Sequence, residues 1–228
     1  MSDEPTKLAI FDCDGTLVDS GATIHRALDM SLRHHGHSCP PREEAQRVIG
    51  LSLVEAMKSL VPDADHDALA ATYKEAFVDL HEKGEAVENP YDGISDLLAA
   101  FVNEGWTLAV ATGKSEKGLR HILDLHGWND RFECLHTADR HPSKPNPSMV
   151  YSAMSDCYAE AKDTVMIGDT AHDMRMARNA GVGAIGVAWG YHPVLELEKS
   201  GAHAVAAKAE DVLTLAQAWR AGAWWEDR

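Results

Sequence analysis

Two aspartates, Asp12 and Asp14, stand one residue apart directly after the apolar run Leu8-Ala9-Ile10-Phe11. Carboxylates this close repel one another and resist desolvation, and a divalent cation relieves both costs. A donor set made only of oxygens suits a hard ion such as Mg2+. Gly15 then permits a tight chain reversal, and Thr16 adds a small hydroxyl. The apolar run reads as a short strand buried on both faces. The pair therefore sits at its carboxyl end, where open parallel sheets place their ligands. Taken alone, Asp-x-Asp-Gly suits a solvated turn closing a hairpin equally well.

Three later loops carry compatible chemistry. Leu108-Ala109-Val110-Ala111 is followed by Thr112-Gly113-Lys114-Ser115, which opens a helix. A hydroxyl and free N–H groups there would bind an anion, preferably phosphate, although Ser115 could be only the helix N-cap. In Ser143-Lys144-Pro145-Asn146-Pro147, two prolines restrict the backbone around one lysine. That lysine either offsets repulsion between an acidic cluster and a phosphate or is a surface residue before a proline-capped helix. Val165-Met166-Ile167 ends in Gly168-Asp169-Thr170-Ala171-His172-Asp173. Asp169 and Asp173 lie one helical turn apart, so both can face one cation or one lysine, or simply cap the helix. Each loop follows or adjoins a strand of one predicted parallel sheet, so all four would meet at one edge.

The elements that must position these residues follow from periodicity. After Ser20 the chain is purely helical until about residue 88, with segments over 22–33, 42–48, 53–60 and 66–85 separated by Pro40-Pro41, Gly50 and Pro62. From Pro90 onward, strands and helices alternate. Strands are predicted at 106–111, 132–137, 164–167, 184–188 and 204–206, and helices at 93–103, 116–126, 147–161, 171–180, 193–200 and 210–221. The expected fold is α/β: a Rossmann-like parallel sheet flanked by helices, with an inserted all-helical domain. The α/β core would comprise residues 1–19 and 89–228 and the helical domain residues 20–88, with hinges near Asp19-Gly21 and Val87-Pro90.

Composition narrows the function further. The net charge of -15 over 228 residues argues against nucleic acid or an anionic membrane as a partner, and an anionic substrate would need a local cluster of positive charge. Lys114 and Lys117 could add such potential. Four cysteines, at 13, 39, 134 and 157, lack metal-ligand spacing and read as free thiols of a reducing compartment. The expected location is the cytoplasm. His34-His35-Gly36-His37 reads as a polar helix end and turn. Trp219 shares an apolar face with Val212, Leu215 and Ala216 and is expected in the core. Trp224 and Trp225 read as terminal packing without a function.

Taken jointly, Asp12-x-Asp14-Gly15-Thr16-Leu17, Thr112, Lys144-Pro145 and Gly168-Asp169 with Asp173 resemble the four motifs of the haloacid dehalogenase superfamily of phosphatases, over effectively the whole chain. The helical insertion resembles that family's four-helix cap. Ala111–Ser115 and Ala188-Trp189-Gly190-Tyr191 are similar to its phosphoglycolate phosphatase-like branch. The resemblance implies that Asp12 is the nucleophile, forming an aspartyl-phosphate, and that Asp14 protonates the leaving group and then deprotonates water. It implies Mg2+ held by Asp12, the backbone carbonyl of Asp14, and Asp169. Thr112 and the N–H of Gly113 would hold the phosphoryl oxygens, and Lys144 would offset charge in the transition state. Asp173 would position Lys144 or a water on the metal. Cys13 reads as a strand residue packed on the opposite side. A cap closing over the site would select the substrate, with Arg47, Gly50, Leu51 and the hinge Thr16–Asp19 as candidates. The expected partner is a small phosphorylated metabolite, phosphoglycolate first, acted on by a monomer or homodimer. A sugar phosphomutase, a pyrophosphate, nucleotide or sugar-phosphate phosphatase of the same superfamily, and a phospho-aspartate signalling receiver are the alternatives. A dehalogenase would leave Asp14, Asp169 and Asp173 surplus.

Overall fold

The computed structural model describes residues 5–224. In chain order, β1 (Lys7–Phe11) leads through a short β2 (Val18–Asp19) into four helices, α1 (Gly21–His34), α2 (Arg42–Gln46), α3 (Leu53–Leu60) and α4 (His66–Glu82). After β3 (Asn89–Pro90) and α5 (Ile94–Asn103), strands and helices alternate through β4 (Trp106–Thr112), α6 (Glu116–His126), β5 (Cys134–Thr137), α7 (Ser148–Asp156), β6 (Thr164–Gly168), α8 (Ala171–Ala180), β7 (Gly183–Val187), α9 (Val194–Lys199), β8 (Ala204–Ala206) and α10 (Ala209–Arg220).

The main sheet has six strands in the order β5-β4-β1-β6-β7-β8, and every pairing is parallel. β1 occupies its interior, between β4 and β6, and its apolar run is buried on both faces. Ala9 and Phe11 enter one core cluster, Leu8 and Ile10 the other, as the two-residue period of a strand requires. The first cluster includes the edge-to-face pair Phe11–Phe101, with centroids 5.6 Å apart, and the fully buried Trp219. A Cβ on Gly183 would come within 2.9 Å of the Trp219 ring, so that strand position is kept bare for the indole. Trp224 packs partly buried against the same core, whereas Trp225 lies outside the described residues.

The chain leaves for the helical insertion and returns through the antiparallel pair β2–β3, with Val18 opposite Pro90 and Asp19 opposite Asn89. Within the insertion, Leu28, Leu32, Met57 and Leu69 form a separate apolar cluster, and α1 packs along α4. Asp65 caps α4 by accepting from the Ala68 N–H at 3.1 Å.

Among the boundaries that differ from the periodicity reading, three have a local cause. α7 ends at Asp156 rather than running on to residue 161, because Tyr158 turns to positive φ (53°) and breaks the helical path. α2 stops at Gln46, where isolated turns carry the chain to Gly50 at φ +93°. β5 starts at Cys134, since the residues before it close a 3-10 turn over Asn129–Arg131. The histidine-rich stretch is a helix end and turn, with α1 stopping at His34 and Gly36 at φ +78°. Among the described residues, no helix is long and apolar enough to cross a membrane.

Candidate active site

Parallel register puts the carboxyl ends of β1, β4, β5 and β6 side by side, and their loops converge. Asp12 leaves β1 with its carboxylate buried. Its Oδ1 accepts from the Cys13 N–H at 2.7 Å and from the Lys144 ammonium at 2.9 Å. Its Oδ2 is buried without a hydrogen-bond partner. Lys144, itself buried, reaches from the loop after β5 and also donates to Asp173 Oδ1 at 2.6 Å. Asp173 does two jobs at once. Its other oxygen accepts from the N–H and hydroxyl of Thr170, at 3.1 and 2.6 Å, closing the capping box of α8. The capping and lysine-positioning readings of this aspartate are therefore both realised.

Asp169 directly follows β6 and is fully buried. It accepts from the Thr16 hydroxyl at 2.9 Å and the Tyr191 N–H at 2.9 Å. The backbone around it is trimmed to make room: a Cβ on Gly15 would fall 2.2 Å, and one on Gly190 2.1 Å, from atoms of its side chain. Oxygens of Asp12, Asp169 and Asp173 lie within 4.8 Å of one another, all three residues being buried. Burial raises the Asp12 carboxyl to about 7 despite the neighbouring Lys144 ammonium, and Asp173 and Asp14 add to the rise. Burial, then the charges of Asp173 and Asp12, push Asp169 up as well. Burial disfavours the Lys144 ammonium, but Asp12 and Asp173 outweigh it and shift that group upward. One ammonium facing several buried carboxylates leaves excess negative charge. Together with the all-oxygen donor set of Asp12, Asp169 and Asp173, this fits a hard divalent cation.

Asp14 does not join that cluster through its side chain. Its Oδ1 accepts from the Ser20 hydroxyl at 2.6 Å and the Lys114 ammonium at 2.9 Å. Lys114 also donates to the buried Glu88 at 3.1 Å, and Glu88 meets His81 Nε2 at 2.7 Å. Burial works against the Lys114 ammonium, yet Asp14 and Glu88 override it and raise its pKa. Lys114, Glu88 and Ser20 therefore fix Asp14. The sequence suggested for Lys114 only a general positive potential, and it held no signal for Glu88, a lone acid in a linker. Cys13 is buried in the core beside Phe11, and burial raises its thiol pKa well above the usual range. Cys13 thus stands two positions beyond the end of β1 rather than in the strand, with its side chain packed into the first core cluster.

Thr112 ends β4, is buried, and accepts from the Lys114 N–H at 3.2 Å. Ser115 is the N-cap of α6, accepting from Gly118 at 3.2 Å. Gly113 lies directly under the helical insertion: a Cβ there would sit 2.3 Å from the Leu51 carbonyl and 2.7 Å from that of Gly50. Gly50 and Leu51 thus press on the loop after β4, and the Ser52 N–H donates to Ser143 Oγ at 2.8 Å. Both Gly50 and Leu51 line a cavity of about 770 Å3 whose wall also includes Asp12, Asp14, Thr112 and Gly113.

Arg47 departs from its expected place. Its guanidinium forks onto Glu196 of α9, with N–O distances of 2.9 and 2.8 Å, and does not line the cavity. It acts as a latch between the insertion and the sheet layer, because the pairing carboxylate stands outside the reactive edge. The Arg47 side chain is 55% exposed. Arg47→Ala should therefore cost only about 0–1 kcal/mol of stability. It should also leave kcat/KM within roughly threefold of wild type. Steady-state kinetics and a urea midpoint check both; a loss above about thirtyfold in kcat/KM would place the guanidinium on substrate.

Comparison with known proteins agrees with this geometry. Over 197 residues the chain is 37% identical to "Probable phosphatase IndB" of Dickeya dadantii, covering 84% of this chain and 85% of that one. It is 30% identical over 202 residues to a phosphoglycolate phosphatase of Vibrio parahaemolyticus, covering 84% and 88%. The fold superposes on the crystal structure titled as a "predicted phosphatase" from Clostridium acetobutylicum with a TM-score of 0.82 and 24% identity, covering 92% of this chain and 98% of that one. The family model for haloacid dehalogenase-like hydrolases matches residues 9–187, a span holding every acidic and basic group placed above at the converging loops, and the chain belongs to that family.

Proposed function

We propose that the protein is a Mg2+-dependent phosphatase that hydrolyses a phosphate monoester through an aspartyl-phosphate on Asp12. One observation supports this above all. Of the two oxygens of Asp12, a residue that lines the cavity, one is held by Lys144 and a backbone N–H, while the other is buried and unpartnered. A carboxylate clamped on one oxygen and bare on the other is prepared for in-line attack.

In the first step, Asp12 Oδ2 attacks phosphorus and the ester P–O bond breaks. Asp14, held by Ser20 and Lys114, delivers a proton to the departing alkoxide. In the second step, water attacks the phosphorus of the acyl phosphate while Asp14 takes its proton, and inorganic phosphate and the Asp12 carboxylate are regenerated. Thr112 and the Gly113 N–H hold the phosphoryl oxygens, and Lys144 faces the charge that develops on them. Asp12, the Asp14 carbonyl and Asp169 would hold Mg2+, with Asp173 behind; when bound, it supplies fixed positive charge against the phosphoryl group. The helical insertion forms much of the cavity wall and would limit water around the bound phosphoryl group.

p-Nitrophenyl phosphate separates this reading from a signalling receiver. Multiple turnovers with Mg2+, lost in EDTA, are expected from a phosphatase; a long-lived phosphoryl-aspartate with less than one turnover would sink the proposal.

A further inference from the structure

We infer that the alcohol released by this phosphatase is a large, uncharged, ring-bearing group bound on Tyr73 and Phe77. The inference rests on the phosphatase reading above and specifies its substrate class. The cavity that begins at Asp12, Asp14 and Thr112 continues into the helical insertion and reaches about 770 Å3. That volume suits a drug-sized molecule rather than a two-carbon acid. Beyond the catalytic end its wall is mostly apolar, including Leu28, Leu51, Val54 and Met57 with the two rings. Tyr73 and Phe77, one turn apart on α4, lie nearly parallel at 5.8 Å and 26°. Both rings line the cavity, where a ring-bearing group can pack against them.

The cavity offers a second anion few partners: of its lining histidines, His121 is solvent-exposed and His81 is held by Glu88 at 2.7 Å. Lys114 is already shared between Asp14 and Glu88, and its ammonium rests 5.0 Å from the centre of the Phe77 ring. Lys74 and Lys117 line the cavity but are solvent-exposed, and Glu82 and Asp139 also face it. Arg47 is turned outward to Glu196. A substrate carboxylate or second phosphate, reaching past Asp14, would therefore lose its hydration with no free buried cation among the described residues to replace it. A glycolate group would in addition leave the stacked rings and the apolar wall uncontacted. The chemistry shared by the favoured substrates is a phosphate monoester of an uncharged cyclic alcohol, available as an aryl phosphate or a nucleoside 5′-monophosphate.

The test measures kcat/KM with Mg2+ for 1-naphthyl phosphate, uridine 5′-monophosphate, phosphoglycolate and the small donor acetyl phosphate. At least one ring-bearing ester should exceed phosphoglycolate by about thirtyfold or more. A lead for the naphthyl ester points to an aryl source, and a lead for the uridine ester to a nucleotide. Phe77→Leu keeps apolar volume but removes the ring, so that preference should shrink about tenfold. Val54→Lys, which puts a cation in the wall, should move the ratio toward phosphoglycolate. Thermal melts confirm that each variant is folded. Phosphoglycolate outpacing both ring-bearing esters, or Phe77→Leu slowing every ester alike, overturns the substrate class while acetyl phosphate turnover keeps the phosphatase reading intact. Loss of turnover on all compounds, acetyl phosphate included, overturns the phosphatase reading itself.

Discussion

Asp12→Asn should lower phosphatase turnover by on the order of 10^4-fold or more while making the metal-free protein more stable. The two effects have one origin. The amide keeps an oxygen for the Cys13 N–H and the Lys144 ammonium, so packing and orientation survive. It removes the nucleophilic charge and one of the buried carboxylates that crowd Asp169 and Asp173. The sign with pH follows from the raised Asp12 carboxyl. Burial lifts it from 3.8 to about 7, so the folded state prefers the protonated form. Its favourable contribution is present at acid pH and is lost as pH rises through about 7. The stability advantage of Asp12→Asn should accordingly grow between pH 5 and pH 8, and added Mg2+ should narrow it by stabilising the wild type. Urea midpoints at the two pH values, with and without Mg2+, test this. A variant less stable than wild type at pH 8 without metal would show that the carboxylate is not under the strain described.

Lys144→Met is expected to cost about 3–5 kcal/mol in the metal-free protein, because it leaves Asp12 and Asp173 buried without the ammonium that touches both. The methionine side chain fills most of the lysine's path, so cavity formation contributes little and the loss reports charge. Activity should fall about 10^2–10^3-fold even with saturating Mg2+, since the hydrogen bonds that the lysine would give to the charge developing on the phosphoryl group are lost. Lys144→Arg should not rescue it. The ammonium sits in a slot with no solvent exposure, and a planar guanidinium is wider and forked. Equilibrium unfolding and steady-state kinetics on both variants decide the matter; a loss below about 1 kcal/mol in Lys144→Met would contradict the buried ion pairs.

The reactive edge was readable because its chemistry is local. Asp12, Thr112, Lys144, Asp169 and Asp173 each stand beside a strand end or helix start that short-range periodicity reveals, and a parallel sheet brings strand ends together whatever the loops contain. The alternation after residue 90 likewise follows from apolar spacing over a few turns. Helix ends were less readable: α7 stops at Asp156 because of a left-handed Tyr158, and no composition rule flags a tyrosine there.

What sequence alone determined about this protein is its family, its sheet and the acidic and basic groups at the carboxyl edge, all set by residues a few positions from a strand. What only the tertiary structure decided is how those groups are paired and what they enclose. Lys114 meets Asp14 across 100 positions, and Arg47 meets Glu196 across 149. The cavity wall joins α1, α3 and α4 to the loop after β4. Such partners are selected by which charges and apolar faces the helical insertion brings within a few ångströms. That depends on packing between distant segments, and spacing along the chain carries no record of it.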